Sequence, residues 1–207
     1  MDTGYKGRAA GVLSEIKKMG YKASDVHRIL VTHHHIDHVG SLAELKQATG
    51  ARVFAHQSDI PYINGELPHP GPIKRGMTSR LLALSLKFWT HTPVQVDVPI
   101  SDGNELDVMG GIKVIHTPGH TPGCISFLLL EEGVVIVGDL LSNGKVLRLP
   151  AKNFTIDPVK EIESIGKLAK LDFNSICFGH GLPILEKARP IISDFAEEKV
   201  RKYGTIA

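Results

Sequence analysis

VTHHHIDHVG, residues 31–40, places four of the chain's eleven histidines and one aspartate within six positions. In an extended segment, residues two apart point the same way, so His33 and His35 can face one site. Asp37 and His38 then lie on the turn into the next helix, where they can reach a second position beside the first. Because neutral imidazoles and carboxylates are good zinc ligands, H-x-H-x-D-H predicts a metal site rather than a basic surface loop.

Three further candidate ligands each follow an apolar, strand-like run. His120 lies in HTPGHTPG, Asp139 in VVIVGDL and His180 in ICFGHG. The loops that follow strands commonly gather into functional sites. A lone histidine in a loop is usually a surface residue, but the repeated placement after strands favours metal binding when it accompanies the histidine-rich segment.

Hydrophobic patterns predict strands in the middle of the chain and helices around them. Helices are predicted over 5–19, 41–49, 78–89 and 158–171 and within 183–203. Strands are predicted over 28–32, 52–55, 94–98, 112–115, 124–130, 134–137 and 175–178, with 124–130 and 134–137 forming a hairpin. No repeat or linker divides the sequence, so we expect one domain over 1–207, built of packed sheets with helices outside.

Composition narrows the function classes. The 207 residues are 42% hydrophobic and 22% charged, which is typical of a soluble globular protein. A net charge of +2 is too small to indicate binding to nucleic acid or to an acidic membrane surface. Neither a signal peptide nor a transmembrane run is recognised, and two cysteines do not form a disulfide framework. We therefore expect a cytoplasmic protein that acts on a small-molecule substrate.

These motifs together resemble the metal-binding motifs of the metallo-β-lactamase superfamily. HHHIDH, GHTPG, the aspartate of VGDL and the later GHG carry the resemblance. It runs from Asp2-Thr3-Gly4, which is similar to the DTG turn of that fold, to Gly181. The resemblance implies an α+β fold, a four-layer αβ/βα sandwich with a binuclear site at one edge of its two sheets. We expect this chain to lack the usual first N-terminal strands.

The resemblance also implies how the ligands are divided between two Zn²⁺ ions per chain. One ion would be bound by His33, His35 and His120, the other by Asp37, His38 and His180, with Asp139 bridging both. The second histidine of H-x-H-x-D-H favours zinc over a diiron redox site. A hydroxide held between the ions and oriented by Asp37 would attack a carbonyl carbon, which predicts hydrolysis of an ester, thioester, lactone or amide.

Residues 57–93 are expected to form a cap over the metals. The apolar side chains Leu81, Leu82, Leu84, Phe88 and Trp89 would line a substrate pocket, or the helix that carries them packs on the core. THHHIDHVG most resembles glyoxalase II, a hydroxyacylglutathione hydrolase. Because only 27 residues follow His180, we do not expect the glutathione specificity that the C-terminal domain of that family provides. The missing N-terminal strands would expose a sheet edge, which predicts a homo-oligomer or poor behaviour in solution.

Two alternative functions remain open. HTPGC resembles the GHT-x-GC loop of persulfide dioxygenases, which bind one iron through ligands that would correspond to His33, His120 and Asp139. Retention of all seven ligands favours the hydrolase. A non-catalytic binding protein on the same fold is the other alternative, although such proteins normally lack ligands and none is missing here.

The other notable residues are not assigned to the metal site. His34 is expected to make a hydrogen bond that is either structural or supports the neighbouring metal ligands. The remaining histidines lack ligand spacing: His27, His56, His69, His91 and His116. Of these, His69 and His91 lie in the expected cap and could touch substrate. Cys124 and Cys177 are interpreted as small hydrophobic residues, and Lys74 and Arg75 as solvated charges.

Overall fold

The computed structural model describes residues 1–70 and 91–203. These residues form two compact units, Met1–Ile100 and Ser101–Ala207, each with its own hydrophobic core. The predicted single domain over 1–207 with a cap over 57–93 stays a prediction. The expected helix over 78–89 lies outside the described residues, as do all five apolar cap side chains, Lys74 and Arg75.

The first unit contains a three-stranded parallel sheet and four α-helices among its described residues. The strands are β1 (Arg28–Leu30), β2 (Arg52–His56) and β3 (Val98–Ile100), in the order β1-β2-β3. The helices are α1 (Ala9–Lys18), α2 (Ile36–Val39), α3 (Leu42–Thr49) and α4 (Ile60–Ile63), with a 3₁₀ turn at Ala23–Asp25.

Apolar side chains from the helices and strands of the first unit form its core. Leu42, Val53 and Ile63 are fully buried, and Val12 and Leu13 of α1 pack against the same cluster. The prediction that α3 stops at Gly50 is confirmed, because Gly50 adopts a positive φ of 71° and its N–H donates to a carbonyl in the last turn.

The predicted strand over 94–98 is wrong, since the strand begins only at Val98. Two side chains occupy the backbone donors that a strand ladder would use. The N–H of Val96 donates to Oδ1 of Asn64 at 3.0 Å, and Oδ2 of Asp97 accepts from the N–H of Val53 at 2.8 Å. Side chains thus take the place of strand partners at these two donors, although the N–H of Asp97 still donates to the carbonyl of Val53 at 3.0 Å. Val94 and Val96 are buried, whereas Gln95 and Asp97 are exposed.

The second unit contains a mixed five-stranded sheet. Its strands are β4 (Glu105–Leu106), β5 (Ile112–His116), β6 (Ile125–Leu129), β7 (Val134–Ile136) and β10 (Ser175–Cys177), in the order β10-β7-β6-β5-β4. Separately, β8 (Ser142–Asn143) pairs with β9 (Leu147–Arg148). β6 and β7 form the predicted hairpin, and β10 runs parallel to β7.

Two helices complete the second unit, α5 (Pro158–Leu168) and α6 (Ala188–Tyr203). Asp157 caps α5 by accepting from two backbone N–H groups at 3.1 Å. Apolar residues of both helices, such as Ile165 and Ile192, share a core with Ile176 of β10. Within residues 1–70 and 91–203, no helix combines the length and apolar character needed to cross a membrane.

Candidate metal centre

Four ligand-type side chains converge after β1 in the first unit: His33, His35, Asp37 and His38, called here the loop cluster. The ring of His33 lies 4.8 Å from that of His35 and 4.0 Å from that of His38, measured between centroids. Oδ2 of Asp37 lies 3.8 Å from Nε2 of His38. His35 keeps an extended backbone, and α2 begins with the next residue. The predicted convergence of these four residues is therefore seen within this unit.

Asp2 sets the position of the proton on His38. Oδ2 of Asp2 lies 2.8 Å from Nδ1 of His38. A carboxylate only accepts hydrogen bonds, so Nδ1 carries a proton, and in the neutral imidazole Nε2 keeps its lone pair. The backbone of His38 is also held, because the N–H and hydroxyl of Thr3 both donate to its carbonyl, at 2.7 and 2.8 Å. His38 is thus oriented with Nε2 in the form that binds metal.

Thr32 sets the position of the proton on His33. The hydroxyl of Thr32 donates to Oδ2 of Asp2 at 2.8 Å, and the N–H of Thr32 donates to Oδ1 at 2.8 Å. Its single hydroxyl proton is therefore used, so Nδ1 of His33, 3.0 Å away, donates to the hydroxyl oxygen. In the neutral imidazole, Nε2 of His33 then keeps its lone pair. The ligand motif does not identify Thr32, although a hydroxyl residue directly before the first ligand is a usable signal.

The second unit brings together His120, Asp139 and His180, called here the strand-end cluster because they follow β5, β7 and β10. Oδ2 of Asp139 lies 3.6 Å from Nε2 of His120 and 3.3 Å from Nε2 of His180. His120 and Asp139 are buried, whereas the side chain of His180 is 52% exposed. One carboxylate oxygen therefore faces both imidazoles.

Backbone contacts hold the loops of the strand-end cluster. The N–H of Gly179 donates to the carbonyl of Gly138 at 2.8 Å, and the N–H of Asn143 donates to the carbonyl of His180 at 3.0 Å. Gly181 has a φ of +107°, and a Cβ there would lie 1.9 Å from the carbonyl oxygen of Asn143. Only glycine fits at this point, directly after a predicted ligand.

Glu161 is a buried acid in the second unit that sequence analysis did not identify. Burial raises its pKa to about 8, its hydrogen bond from Thr155 acts in the opposite direction, and the negative charge of Asp139 adds to the rise. The carboxyl group is therefore protonated at neutral pH. The usable signal is its place in α5, four residues before the buried Ile165, on the apolar face of the helix.

The other histidines lie outside both clusters. The N–H of His34 donates to Oδ2 of Asp59 at 2.9 Å, and its ring stacks on Tyr62. His69 and His91 are joined by a contact of 2.6 Å between Nε2 and Nδ1. Burial is the main cause that lowers both of their pKa values, to about 4 for His69, so both are neutral at pH 7.

Comparison with known proteins gives a consistent family assignment. The family model described as the metallo-beta-lactamase superfamily matches residues 1–180. The chain is 28% identical over 202 residues to the probable metallo-hydrolase YflN of Bacillus subtilis (strain 168), covering 90% of this chain and 76% of that protein. It is 32% identical over 167 residues to a hydroxyacylglutathione hydrolase of Ectopseudomonas mendocina (strain ymp), covering 80% of this chain but only half of that protein.

Solved structures share the fold. A metallo-beta-lactamase family protein of Thermus thermophilus superposes with a TM-score of 0.71 at 26% identity, over 98% of this chain and 69% of that one. TTHA1623, crystallised in a di-iron-bound form, gives 0.64 at 28% identity, over 89% and 82%. BJP-1, a subclass B3 enzyme of Bradyrhizobium japonicum, gives 0.72 at 23% identity, over 98% and 80%, and supports the fold alone. The predicted α+β fold class is confirmed.

Proposed function

The chain belongs to the metallo-β-lactamase superfamily, and we propose that it is a two-zinc hydrolase that cleaves an ester, thioester, lactone or amide bond of a small molecule. The observation that carries this proposal is the fixed proton position on His33 and His38. Both imidazoles are buried with Nε2 in the form that binds metal. Metal-binding histidines typically donate their other ring N–H to a carboxylate or another acceptor in this way.

The loop cluster and the strand-end cluster are proposed to supply all the protein ligands of the two ions. One zinc would take His33, His35 and His120, the other Asp37, His38 and His180, with Asp139 as the bridging carboxylate. Support comes from membership of the family and from the convergence within each cluster. Five imidazoles and two carboxylates form a donor set that fits zinc.

Bound zinc ions would supply acidified water and a Lewis acid for the carbonyl oxygen. The residues of this chain have three tasks around that chemistry. Asp37 would accept a hydrogen bond from the attacking water and so orient it toward the carbonyl carbon. Asp2 and Thr32 keep the rings of His38 and His33 in place and in one tautomer. Asp139 faces both imidazoles of its own unit.

The proposal is tested by a hydrolysis screen on protein loaded with zinc, using thioesters, lactones, activated esters and β-lactams. We expect turnover of at least one class, loss of turnover on chelation and recovery on adding zinc back. The variant His33→Ala should lose turnover of every substrate class. The matched control is His27→Ala, because His27 is an exposed histidine of the same unit and should leave turnover unchanged.

Two outcomes would contradict the hydrolase. A zinc-loaded protein without activity toward any of these classes would favour the binding protein. Oxygen consumption with a persulfide substrate, dependent on iron, would favour the mononuclear dioxygenase. That enzyme would use ligands corresponding to His33, His120 and Asp139.

A further inference from the structure

Asp59 is a buried carboxylate of the first unit that belongs to neither cluster. It is 1% exposed and stands at the N-cap position of α4. An aspartate at this position normally accepts from the first backbone N–H groups of its own helix. Here the side chain does not cap α4. Its Oδ2 instead accepts from the backbone N–H of His34 at 2.9 Å and lies 3.0 Å from Nδ1 of the same residue.

We propose that Asp59 is a positioning residue of the metal centre, an inference that rests on the proposed function. His34 lies between His33 and His35, which are both proposed zinc ligands. In an extended backbone, the alternation of side chains depends on the orientation of each peptide. The N–H of His34 belongs to the peptide bond between His33 and His34, so its hydrogen bond to Asp59 fixes that peptide directly after the first proposed ligand. This contact favours the arrangement in which the rings of His33 and His35 lie on the same side, with centroids 4.8 Å apart.

The ring of His34 is held by the same short helix. It is fully buried and stacks on Tyr62 of α4, with ring centroids 4.2 Å apart and an interplanar angle of 17°. The centroid of the His69 ring lies 5.5 Å from that of His34. His69 is in turn bonded to His91, whose Nε2 donates to the carbonyl of Ile63 at 2.9 Å. Backbone and side chain of His34 are thus both anchored to α4.

Charge gives Asp59 a second role toward the metals. A carboxylate that is almost fully buried is costly unless positive charge or hydrogen bonds compensate for it. The loop cluster beside it would hold divalent cations, and their charge would compensate for that of Asp59. Position and charge can be separated by mutation. Asparagine keeps an oxygen that accepts the N–H of His34 but removes the charge, whereas alanine removes both.

The experiment compares the zinc affinity of Asp59→Ala and Asp59→Asn with that of the wild-type chain, by competition with a chelator. We expect Asp59→Ala to weaken zinc binding by about 10–100-fold, the range known for residues that orient metal ligands. Asp59→Asn should weaken it by less. The visible spectrum of the cobalt-loaded protein should change in Asp59→Ala, because it reports ligand geometry.

The matched control is Asp97→Ala. Asp97 also accepts a backbone N–H in the first unit, that of Val53, which lies outside the loop cluster. This variant should lose stability while keeping wild-type zinc affinity and cobalt spectrum. Unchanged zinc affinity in both Asp59 variants would overturn the proposal, and so would an equal loss in Asp97→Ala. If Asp59→Ala does not fold, Asp59→Leu takes its place, because leucine fills a similar volume without a hydrogen-bond acceptor. Weaker zinc binding by folded Asp59→Leu supports the proposal, and unchanged binding overturns it.

Failure of the proposed function would look different from failure of this inference. A wild-type chain that binds two zinc ions but hydrolyses none of the tested substrates would contradict the hydrolase. The difference in zinc affinity between the Asp59 and Asp97 variants would still be measurable in that protein.

Discussion

The loop cluster and the strand-end cluster present the same ligand chemistry by different means. In the loop cluster, four proposed ligands come from six consecutive positions, and the side chains of Asp2 and Thr32 fix the protons on Nδ1 of His33 and His38. In the strand-end cluster, three proposed ligands come from three separate loops, and backbone hydrogen bonds hold those loops. The first arrangement depends on side-chain chemistry, and the second depends on close backbone approach. Substitutions should therefore act differently in the two units.

The largest loss of metal affinity is expected for Asp139→Ala. Its Oδ2 faces both imidazoles of the strand-end cluster, and its proposed role is to bridge the two ions. We expect metal affinity to fall by more than about 100-fold, beyond the range for residues that only orient ligands. Metal content after dialysis measures this. Asp172→Ala is the control, because Asp172 is a fully exposed carboxylate of the same unit. Retention of both ions by Asp139→Ala would contradict the bridging role.

Asp2→Ala should produce the next largest loss of metal affinity. It tests whether the loop cluster depends on side chains that orient its histidines. Without its carboxylate, the proton positions on His33 and His38 are no longer fixed. Metal affinity should fall by about 10–100-fold. Asp25→Ala serves as control, since Asp25 is exposed and accepts a backbone N–H elsewhere in the unit. If chelator competition gave equal affinities for the two variants, the orienting role of Asp2 would be wrong.

Gly181→Ala tests the dependence of the strand-end cluster on backbone approach. The added Cβ would overlap the carbonyl of Asn143. We expect a loss of about 1–3 kcal/mol in the free energy of unfolding, measured in urea. Gly133→Ala isolates the clash, because Gly133 also has a positive φ but its nearest atom is 3.7 Å away. Equal losses in the two variants would show that the conformational penalty, not the contact with Asn143, dominates.

The smallest expected effect is a change in how the free energy of unfolding depends on pH when Glu161 is replaced. Glu161 has a pKa of about 8 in the folded chain, against 4.5 for an unperturbed glutamate. Between these values the folded state holds a proton that the unfolded state has lost, so stability falls as pH rises. Glu161→Gln should remove a slope of at most about 1.4 kcal/mol per pH unit. Urea unfolding of chelated protein at several pH values between about 6.5 and 7.5 measures it, and parallel wild-type and variant curves would contradict the raised pKa.

The sequence predicts the fold class and the ligand loops well, because these depend on local patterns. Each predicted ligand outside the loop cluster follows a strand, as the apolar runs before them indicate. The hydrogen bond from Thr32 to Asp2 was not predicted, since it joins residues thirty positions apart. Asp59 was missed for the same reason. The strand expected over 94–98 failed because side chains of Asn64 and Asp97 intervene, which hydrophobic periodicity does not encode.

The most direct test of the two-zinc centre is the metal content of the wild-type chain, measured by mass spectrometry on protein purified without added metal. The proposed ligand set predicts close to two zinc ions per chain. A single iron per chain would contradict the hydrolase and favour the dioxygenase. A chain without metal, even after incubation with zinc, would contradict the proposal that the loop cluster and the strand-end cluster form one metal centre.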